Sequence, residues 1–405
     1  MKLLPDILAI EPLAKSPNCT VTVPGSKSIT NRALILAVLS SGKCTLRGAL
    51  WADDTQVMVE SLRRLGFAVK VSPDPAEPAN RTIEVEGCGG EIPSDRAELY
   101  VGNAGTAARF LTALVTLGQG EYRLTGDPRM HERPMEDLFE PLRQLGIEVV
   151  SPNGRLPVTI RARGLRGGRV SVSARHSSQF ASALMLIAPY AKLDVQLAEP
   201  DEPHGYVDMT RTMVESFTAE YAVEPDLSSA SYFVAAGWLT GGDVRVAGWP
   251  RAERGKPEES LQVDGKFPKF LPPPARLSRR DDLGDSVMTS VICALFGKQP
   301  MTLTDAARMR EQECDRIHAM VTELQRVGAK VEEHEDGLTV WPVTTATGTV
   351  APPLHGADIE TYKDHRMAMS FAVLGLKVPG IRLKNPACVS KTFPNFFDKL
   401  ERLRR

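Results

Sequence analysis

One pattern recurs six times along this chain and limits what it can fold into. Each copy opens on polar residues, continues as an apolar helix-like run, turns, and enters a short strand. The copies are 31–48 NRALILAVLSSGKCTLRG, 109–126 RFLTALVTLGQGEYRLTG, 179–198 QFASALMLIAPYAKLDVQLA, 231–248 SYFVAAGWLTGGDVRVAG, 286–305 SVMTSVICALFGKQPMTLTD and 366–385 RMAMSFAVLGLKVPGIRLKN. Their alanine, leucine and valine content predicts helices buried on most sides rather than exposed amphipathic ones. The strand that follows alternates, as a sheet with one face on a core requires. A second element recurs between some copies: 62–71 LRRLGFAVKV, 142–150 LRQLGIEVV and 324–332 LQRVGAKVE. Each reads as an amphipathic helix, a glycine C-cap and an alternating strand. Glycine suits that position because it enters the left-handed region at no steric cost.

The copies follow one another at roughly 50 to 80 residues, too irregularly for a solenoid. The chain has 405 residues, more than one core usually holds. Six units therefore predict an α/β protein of two domains with about three units each, buried helices lying under sheet. Turn formers concentrate in 225–230 and 249–280. They place a crossing near residues 225–235 and make the later segment loops inside the second domain.

The chain carries 49 basic and 50 acidic residues, which gives no general reason to expect a nucleic acid or an anionic membrane as partner. Any anion site must be built locally. The cysteines (Cys19, Cys44, Cys88, Cys293, Cys314 and Cys388) form no Cys-x-x-Cys pair and fit a reducing compartment. The N-terminal MKLLPDILAIEPL is broken by Asp6, Glu11, Pro5 and Pro12, so no signal peptide is expected. No uncharged apolar run reaches the ~18 residues of a membrane span.

Local anion chemistry gathers at helix starts. In 23–32 VPGSKSITNR, Pro24-Gly25 marks a tight turn, and Ser28 or Thr30 can cap the helix that follows. Free backbone N–H groups, Lys27, Arg32 and the hydroxyls of Ser26 and Ser28 make a phosphate or carboxylate cradle, without a Walker or dinucleotide fingerprint. In 102–109 GNAGTAAR, the small residues Gly102, Ala104 and Gly105 admit a ligand to the backbone. Arg129 and Arg133 of GDPRMHER are anion clamps, unless they pair with Asp127 or Glu132. RHSSQ (175–179), Asp285-Ser286 and DHR (364–366) complete the set. Convergence of such ends with Lys27, Arg109, Arg129, Arg316, Arg366 and Lys391 predicts an electropositive pocket for a small, multiply anionic ligand. Asp285 and the Glu311-Glu313-Asp315 group are the carboxylates available for proton transfer, or for ion pairing such as Glu313 between Arg310 and Arg316.

With PGSKSITNRAL, GNAGTAARF, LTGDPRMHERP, SSQF, YVDMT, DSVMT, ECDRI, DHRMAM and KTFP in this order, the chain resembles 5-enolpyruvylshikimate-3-phosphate synthases from end to end. The resemblance implies a two-lobed inside-out α/β barrel, the enolpyruvyl transferase fold. Each lobe has three βαβαββ units, and the lobes close on the substrates like a clamp. It assigns residues 22–234 to an N-terminal lobe, and 1–21 with 235–405 to a C-terminal lobe. It implies transfer of the enolpyruvyl group of phosphoenolpyruvate to shikimate 3-phosphate, step six of the shikimate pathway, by a cytoplasmic monomer without metal or cofactor. No metal-ligand spacing links His131, His176, His204 and His365.

By the same resemblance, shikimate 3-phosphate meets Lys27, Ser28, Arg32, Ser177, Ser178, Gln179, Tyr206, Asp285 and Gln312. Phosphoenolpyruvate meets Lys27, Gly105, Arg129, Gln179, Arg316, Arg366 and Lys391, where arginine supplies a planar fork for carboxylate and phosphate. Lys27, Asp285 and Glu313 are the expected catalytic residues. Four departures from the family pattern stand out. Arg308 and Gln312 replace the Asn and Lys of Asn-x-x-x-Lys-Glu, Pro203 replaces a serine beside His204, and Phe110 replaces a proline. The related UDP-N-acetylglucosamine enolpyruvyl transferases are disfavoured, because the Arg129 region lacks their reactive cysteine. A binding protein retaining the anion site without turnover is the remaining alternative, and would release no phosphate.

Overall fold

A computed structural model describes residues 4–175, 177–199, 205–249, 260–344 and 353–404. The chain divides into two compact units, residues 25–224 and residues 1–24 with 225–405. Both are built on one plan.

In the unit of residues 25–224, three helices form the centre: Lys27–Leu39, Gly105–Leu114 and Ser178–Ala191. All ten residues of Gly105–Leu114 are buried. A helix with no polar face cannot lie at a surface without exposing apolar area, and each large side chain so buried contributes about 1.5–3 kcal/mol. Around the helices lie two four-stranded sheets and one strand pair. The first sheet runs Glu220–Ala222, Ser41–Leu50, Asn80–Cys88, Val69–Pro73. The second runs Arg96–Tyr100, Gln119–Thr125, Val158–Arg163, Glu148–Val150. In both, the first pairing is parallel and the next two antiparallel. Gly168–Val172 pairs in parallel with Leu193–Leu197.

The other unit repeats the arrangement. Its central helices are Leu227–Thr240, Val287–Ala294 and His365–Gly375. Its four-stranded sheet, Arg276–Ser278, Met301–Thr304, Gly337–Val340, Val331–His334, has the same parallel-antiparallel-antiparallel order. Two strands from the first 21 residues join the rest of it. Ile7–Ile10 lies antiparallel to Ile381–Lys384, which also pairs with Asp358–Ile359, and Asn18–Val21 lies parallel to Asp243–Val246.

All six sequence copies thus become a buried helix followed by a strand. The second recurring element is also present three times. The helices Asp53–Arg64, Glu136–Gln144 and Arg316–Arg326 are each followed by a glycine at positive φ, Gly66 (92°), Gly146 (83°) and Gly328 (85°). One local expectation fails. Neither Ser28 nor Thr30 caps the first helix; Ser26 does, its hydroxyl accepting from the Ile29 N–H at 3.4 Å. Helix geometry begins at Lys27 because Ser26 is still extended (φ −61°, ψ 123°). Thr30 Oγ instead accepts from the Leu50 N–H at 3.1 Å. Gly25 is required before this cap: a Cβ there would sit 2.0 Å from the Gly48 carbonyl oxygen. No helix of the described residues is long and apolar enough to cross a membrane.

Candidate active site

The helix starts of the 25–224 unit carry the first group of expected site residues. Lys27, the first residue of its helix, has its ammonium 3.2 Å from the carboxylate of Asp54. Asp54 stands in the first turn of Asp53–Arg64, and sequence reasoning did not single it out. One turn further along, Arg32 is buried. Its Nε donates to Thr210 Oγ (2.7 Å), Nη1 to the Ser28 carbonyl (2.9 Å), and Nη2 to Ser182 Oγ (3.1 Å) and the Tyr206 carbonyl (3.2 Å). The Phe110 ring centroid is 5.2 Å from its guanidinium carbon. Burial pulls the Arg32 pKa down to about 10, which leaves it charged at neutral pH. Tyr206 contributes its carbonyl to this network from the helix Gly205–Ser216.

Ser177 caps the helix Ser178–Ala191, its hydroxyl accepting from the Gln179 N–H at 3.3 Å. The Gln179 amide reaches Thr106 Oγ at 3.2 Å, which joins the starts of two central helices. Gly105 lies where a Cβ would be 2.4 Å from Arg109 Nη1 and 2.5 Å from Arg133 Nη2. The missing side chain therefore makes room for two guanidiniums of the protein itself. Arg109 also donates to the Pro134 carbonyl (3.0 Å), and Arg133 to the Asn103 carbonyl (3.2 Å). Of the two pairings open to Arg129, the structure has Glu132, at 2.7 Å. Asp127 accepts a short hydrogen bond from Tyr100 instead. His176, Pro203 and His204 lie outside the described residues.

The unit of residues 1–24 and 225–405 carries the second group. Asp285 lies 2.8 Å from Arg366 Nη2, 3.2 Å from Arg279 Nη2 and 3.8 Å from Arg316 Nη1. Glu313 is 2.9 Å from Arg316 Nη2 and 3.1 Å from Lys391 Nζ. Arg316 donates further to Asp364 (2.7 and 3.2 Å) and to the side-chain carbonyl of Gln312 (2.7 Å). Burial opposes its charge, but Asp364, Glu313 and Asp285 together raise its pKa above the ordinary arginine value. Asp364 also caps the helix His365–Gly375 through the Arg366 N–H at 2.8 Å. Arg310 is directed to Asp315 (2.9 Å) and Glu333 (2.8 Å), so of the two arginines that flank Glu313 in sequence it is Arg316 that pairs with it.

The loop bearing Asp285 is fastened by a residue that sequence reasoning missed. Asp264 is buried and accepts from the N–H groups of Gly284 (2.7 Å) and Ser286 (3.3 Å) and from Ser286 Oγ (2.5 Å). It also accepts a short bond from Ser228 Oγ. It thereby joins the starts of Leu227–Thr240 and Val287–Ala294. Burial raises its pKa, against the opposing effect of the Ser228 and Ser286 hydroxyls. Asp264 and Arg279 fall in or beside the turn-rich segment 249–280, where no periodic pattern marks a residue.

The expected electropositive groups are thus largely matched with carboxylates inside their own units: Lys27 with Asp54, Arg129 with Glu132, Arg366 with Asp285, Lys391 with Glu313. Such cations can change partner when an anionic ligand offers its own oxygens. No group of three or more His, Cys, Asp or Glu among the described residues is placed to hold a metal ion.

The comparisons with known proteins agree with this inventory. The family described as EPSP synthase (3-phosphoshikimate 1-carboxyvinyltransferase) matches residues 14–220, 218–257 and 279–400. A 3-phosphoshikimate 1-carboxyvinyltransferase of Trichormus variabilis is 39% identical over 432 residues, covering 97% of this chain and 98% of that protein. One from Shewanella baltica is 39% identical over 442 residues, covering 98% and 99%. The fold matches a solved EPSP synthase from Acinetobacter baumannii with a TM-score of 0.71 at 23% identity, over 98% of each chain. On this evidence the chain belongs to the EPSP synthase (3-phosphoshikimate 1-carboxyvinyltransferase) family.

Proposed function

We infer that this protein transfers the enolpyruvyl group of phosphoenolpyruvate to the 5-hydroxyl of shikimate 3-phosphate and releases phosphate, as a step of the shikimate pathway. The observation that carries this reading is the end-to-end match to the family. The ionisable residues that the chemistry requires are present within it.

The reaction runs in two steps. The 5-hydroxyl oxygen bonds to C2 of phosphoenolpyruvate while a proton adds to C3, making a methyl group and a tetrahedral intermediate. The C–O bond to phosphate then breaks as a proton leaves that methyl. Enol ether carbon becomes electrophilic only if C3 is protonated and charge on the phosphate is compensated. Glu313 is the candidate for the C3 proton in both directions, with Lys391 3.1 Å away. Asp285 orients or deprotonates the 5-hydroxyl, and Lys27 neutralises developing charge and serves as general acid. Arg129, Arg316, Arg366, Lys391, Gln179 and Gly105 belong to the phosphoenolpyruvate side. Ser28, Arg32, Ser177, Ser178, Gln179, Tyr206, Asp285 and Gln312 belong to the shikimate 3-phosphate side, and Lys27 to both. Gln312 brings a hydrogen-bonding amide where the family pattern has a charge. The same reading takes the enzyme as a cytoplasmic monomer whose partners are its two small-molecule substrates, without nucleic acid, membrane, metal or cofactor.

Inorganic phosphate release from purified protein, with each substrate omitted in turn, tests the assignment. Catalytic release is expected only with both substrates. Folded protein that binds them and releases none would reduce the chain to a binding protein. Glu313→Gln should lower kcat by about 10²–10⁴-fold with the fold retained, measured by the same assay beside a thermal melt.

A further inference from the structure

Asp285 has three guanidiniums around it, and they are not equivalent. Arg316 is also bonded to Asp364, Glu313 and Gln312, and its Nη1 stands off from Asp285 at 3.8 Å. Arg366 is the nearest, at 2.8 Å. Under the function proposed above, Arg316 and Arg366 must both turn toward an anionic substrate. Asp285 would then be left with a weakened counter-charge in a half-dry setting, its side chain 18% exposed. A carboxylate in that position takes up a proton more readily.

Arg279 has a different situation. Its side chain is 8% exposed, and its one ion pair among the described residues is with Asp285, at 3.2 Å. Its Nε is buried without a hydrogen-bond partner, so the side chain is not spent on other parts of the fold. It is also rigidly presented. Its own N–H donates to the Thr304 carbonyl (2.9 Å), and the turn behind it is closed by the Ser278 N–H on the Asp282 carboxylate (2.8 Å). Asp264 fixes the other end of the same loop at Gly284 and Ser286. Both partners of the Arg279–Asp285 pair therefore sit on a fastened backbone.

We propose that Arg279 is a positioning residue: the counter-ion that stays with Asp285, keeping it anionic and releasing Arg366 to the phosphoenolpyruvate. Removing the charge then has two effects. Arg366 is retained by Asp285, which weakens phosphoenolpyruvate binding, and Asp285 protonates at higher pH. The groups facing Asp285 include Arg279, Arg316 and Arg366, with buried Asp264 near enough to repel it. Loss of one cation among these raises the carboxylate's apparent pKa, and activity that needs the anion is lost earlier as pH falls.

The experiment measures kcat and KM for both substrates by phosphate release from about pH 5 to pH 9. The proteins are wild type, Arg279→Gln, Arg279→Met, Arg279→Lys and, as a control three residues earlier, exposed Arg276→Gln. For the neutral variants the acid limb of kcat/KM should move up by about one pH unit, and KM for phosphoenolpyruvate should rise about tenfold. Well above that limb, kcat should change less than about threefold. Arg279→Lys should restore the limb, and Arg276→Gln should match wild type. Wild-type protein that turns over, with neutral variants sharing its acid limb and KM, overturns the proposal alone. Wild-type protein that never turns over removes the function reading, and the proposal with it. If neither neutral variant folds while Arg279→Lys does, Arg279 serves the fold, and the proposal is also overturned.

Discussion

Arg32 is a buried cation on a platform. Three elements supply the oxygens around it, Thr210, Ser182 and the carbonyls of Ser28 and Tyr206, and the Phe110 ring lies beneath its guanidinium. Phe110 is one of the departures from the family pattern, and the structure gives it this use. A desolvated guanidinium over an aromatic face gains on the order of 1 kcal/mol. Phe110→Leu keeps an apolar side chain but loses the ring quadrupole. It should raise KM for shikimate 3-phosphate about fivefold with little change in kcat, as measured by initial rates. An unchanged KM would show that the ring is packing only. Residues such as Lys27, Glu313 and Arg316 were legible in the sequence because they stand inside distinctive strings. Asp54, Asp264 and Arg279 were not, because their meaning lies in what they touch. Asp264 gathers donors from positions 228 and 284–286, and no local pattern encodes such a meeting.

Among the elements, the three helix-glycine-strand corners are the most readable feature, since a residue at positive φ leaves glycine as the low-cost choice. They differ in surroundings. A Cβ on Gly146 would meet nothing within 4 Å, whereas one on Gly66 would lie 2.9 Å from Pro93 Cβ. Gly146→Ala should therefore cost about 1 kcal/mol, the left-handed penalty alone. Gly66→Ala should cost more, because a proline ring must also shift. Urea unfolding of the two variants compares them, and equal losses would remove the role given to Pro93. The six central helices were legible for a related reason, since stretches without a polar face have only the interior to occupy. Sheet order was not. In the first sheet Thr45 is paired with Glu220, and alternation in one strand says nothing about a partner so distant in sequence. The first N-cap was misplaced because several hydroxyls in succession are chemically able to cap. Only the backbone angles of Ser26 choose among them.

For the whole molecule, the chain path matters as much as the repeat. Residues 25–224 form one unit from one continuous stretch, while the other unit is closed by the chain's first residues. Ile7–Ile10 pairs with Ile381–Lys384, Arg404 donates to the Pro12 carbonyl at 3.1 Å, and Lys399 to Thr22 Oγ at 2.5 Å. A fragment of residues 25–224 should accordingly melt cooperatively on its own. Residues 225–405 should do so only when residues 1–24 are supplied, linked or in trans. Calorimetry of the fragments decides the matter, and a cooperative transition in 225–405 alone would refute it.

The strand pairing at the chain's two ends also sets a clock. About 370 residues separate Ile10 from Ile381. At ribosomal speeds of about 5–20 residues per second, roughly 20–75 seconds pass before the first strand can meet its partner. During that interval the 25–224 stretch emerges whole and can settle, while Ile7–Ile10 waits as an unpaired apolar edge. A nascent chain of this architecture thus carries Ile7–Ile10 as a site open to misassociation, and synthesis of Ile381–Lys384 is what retires the hazard.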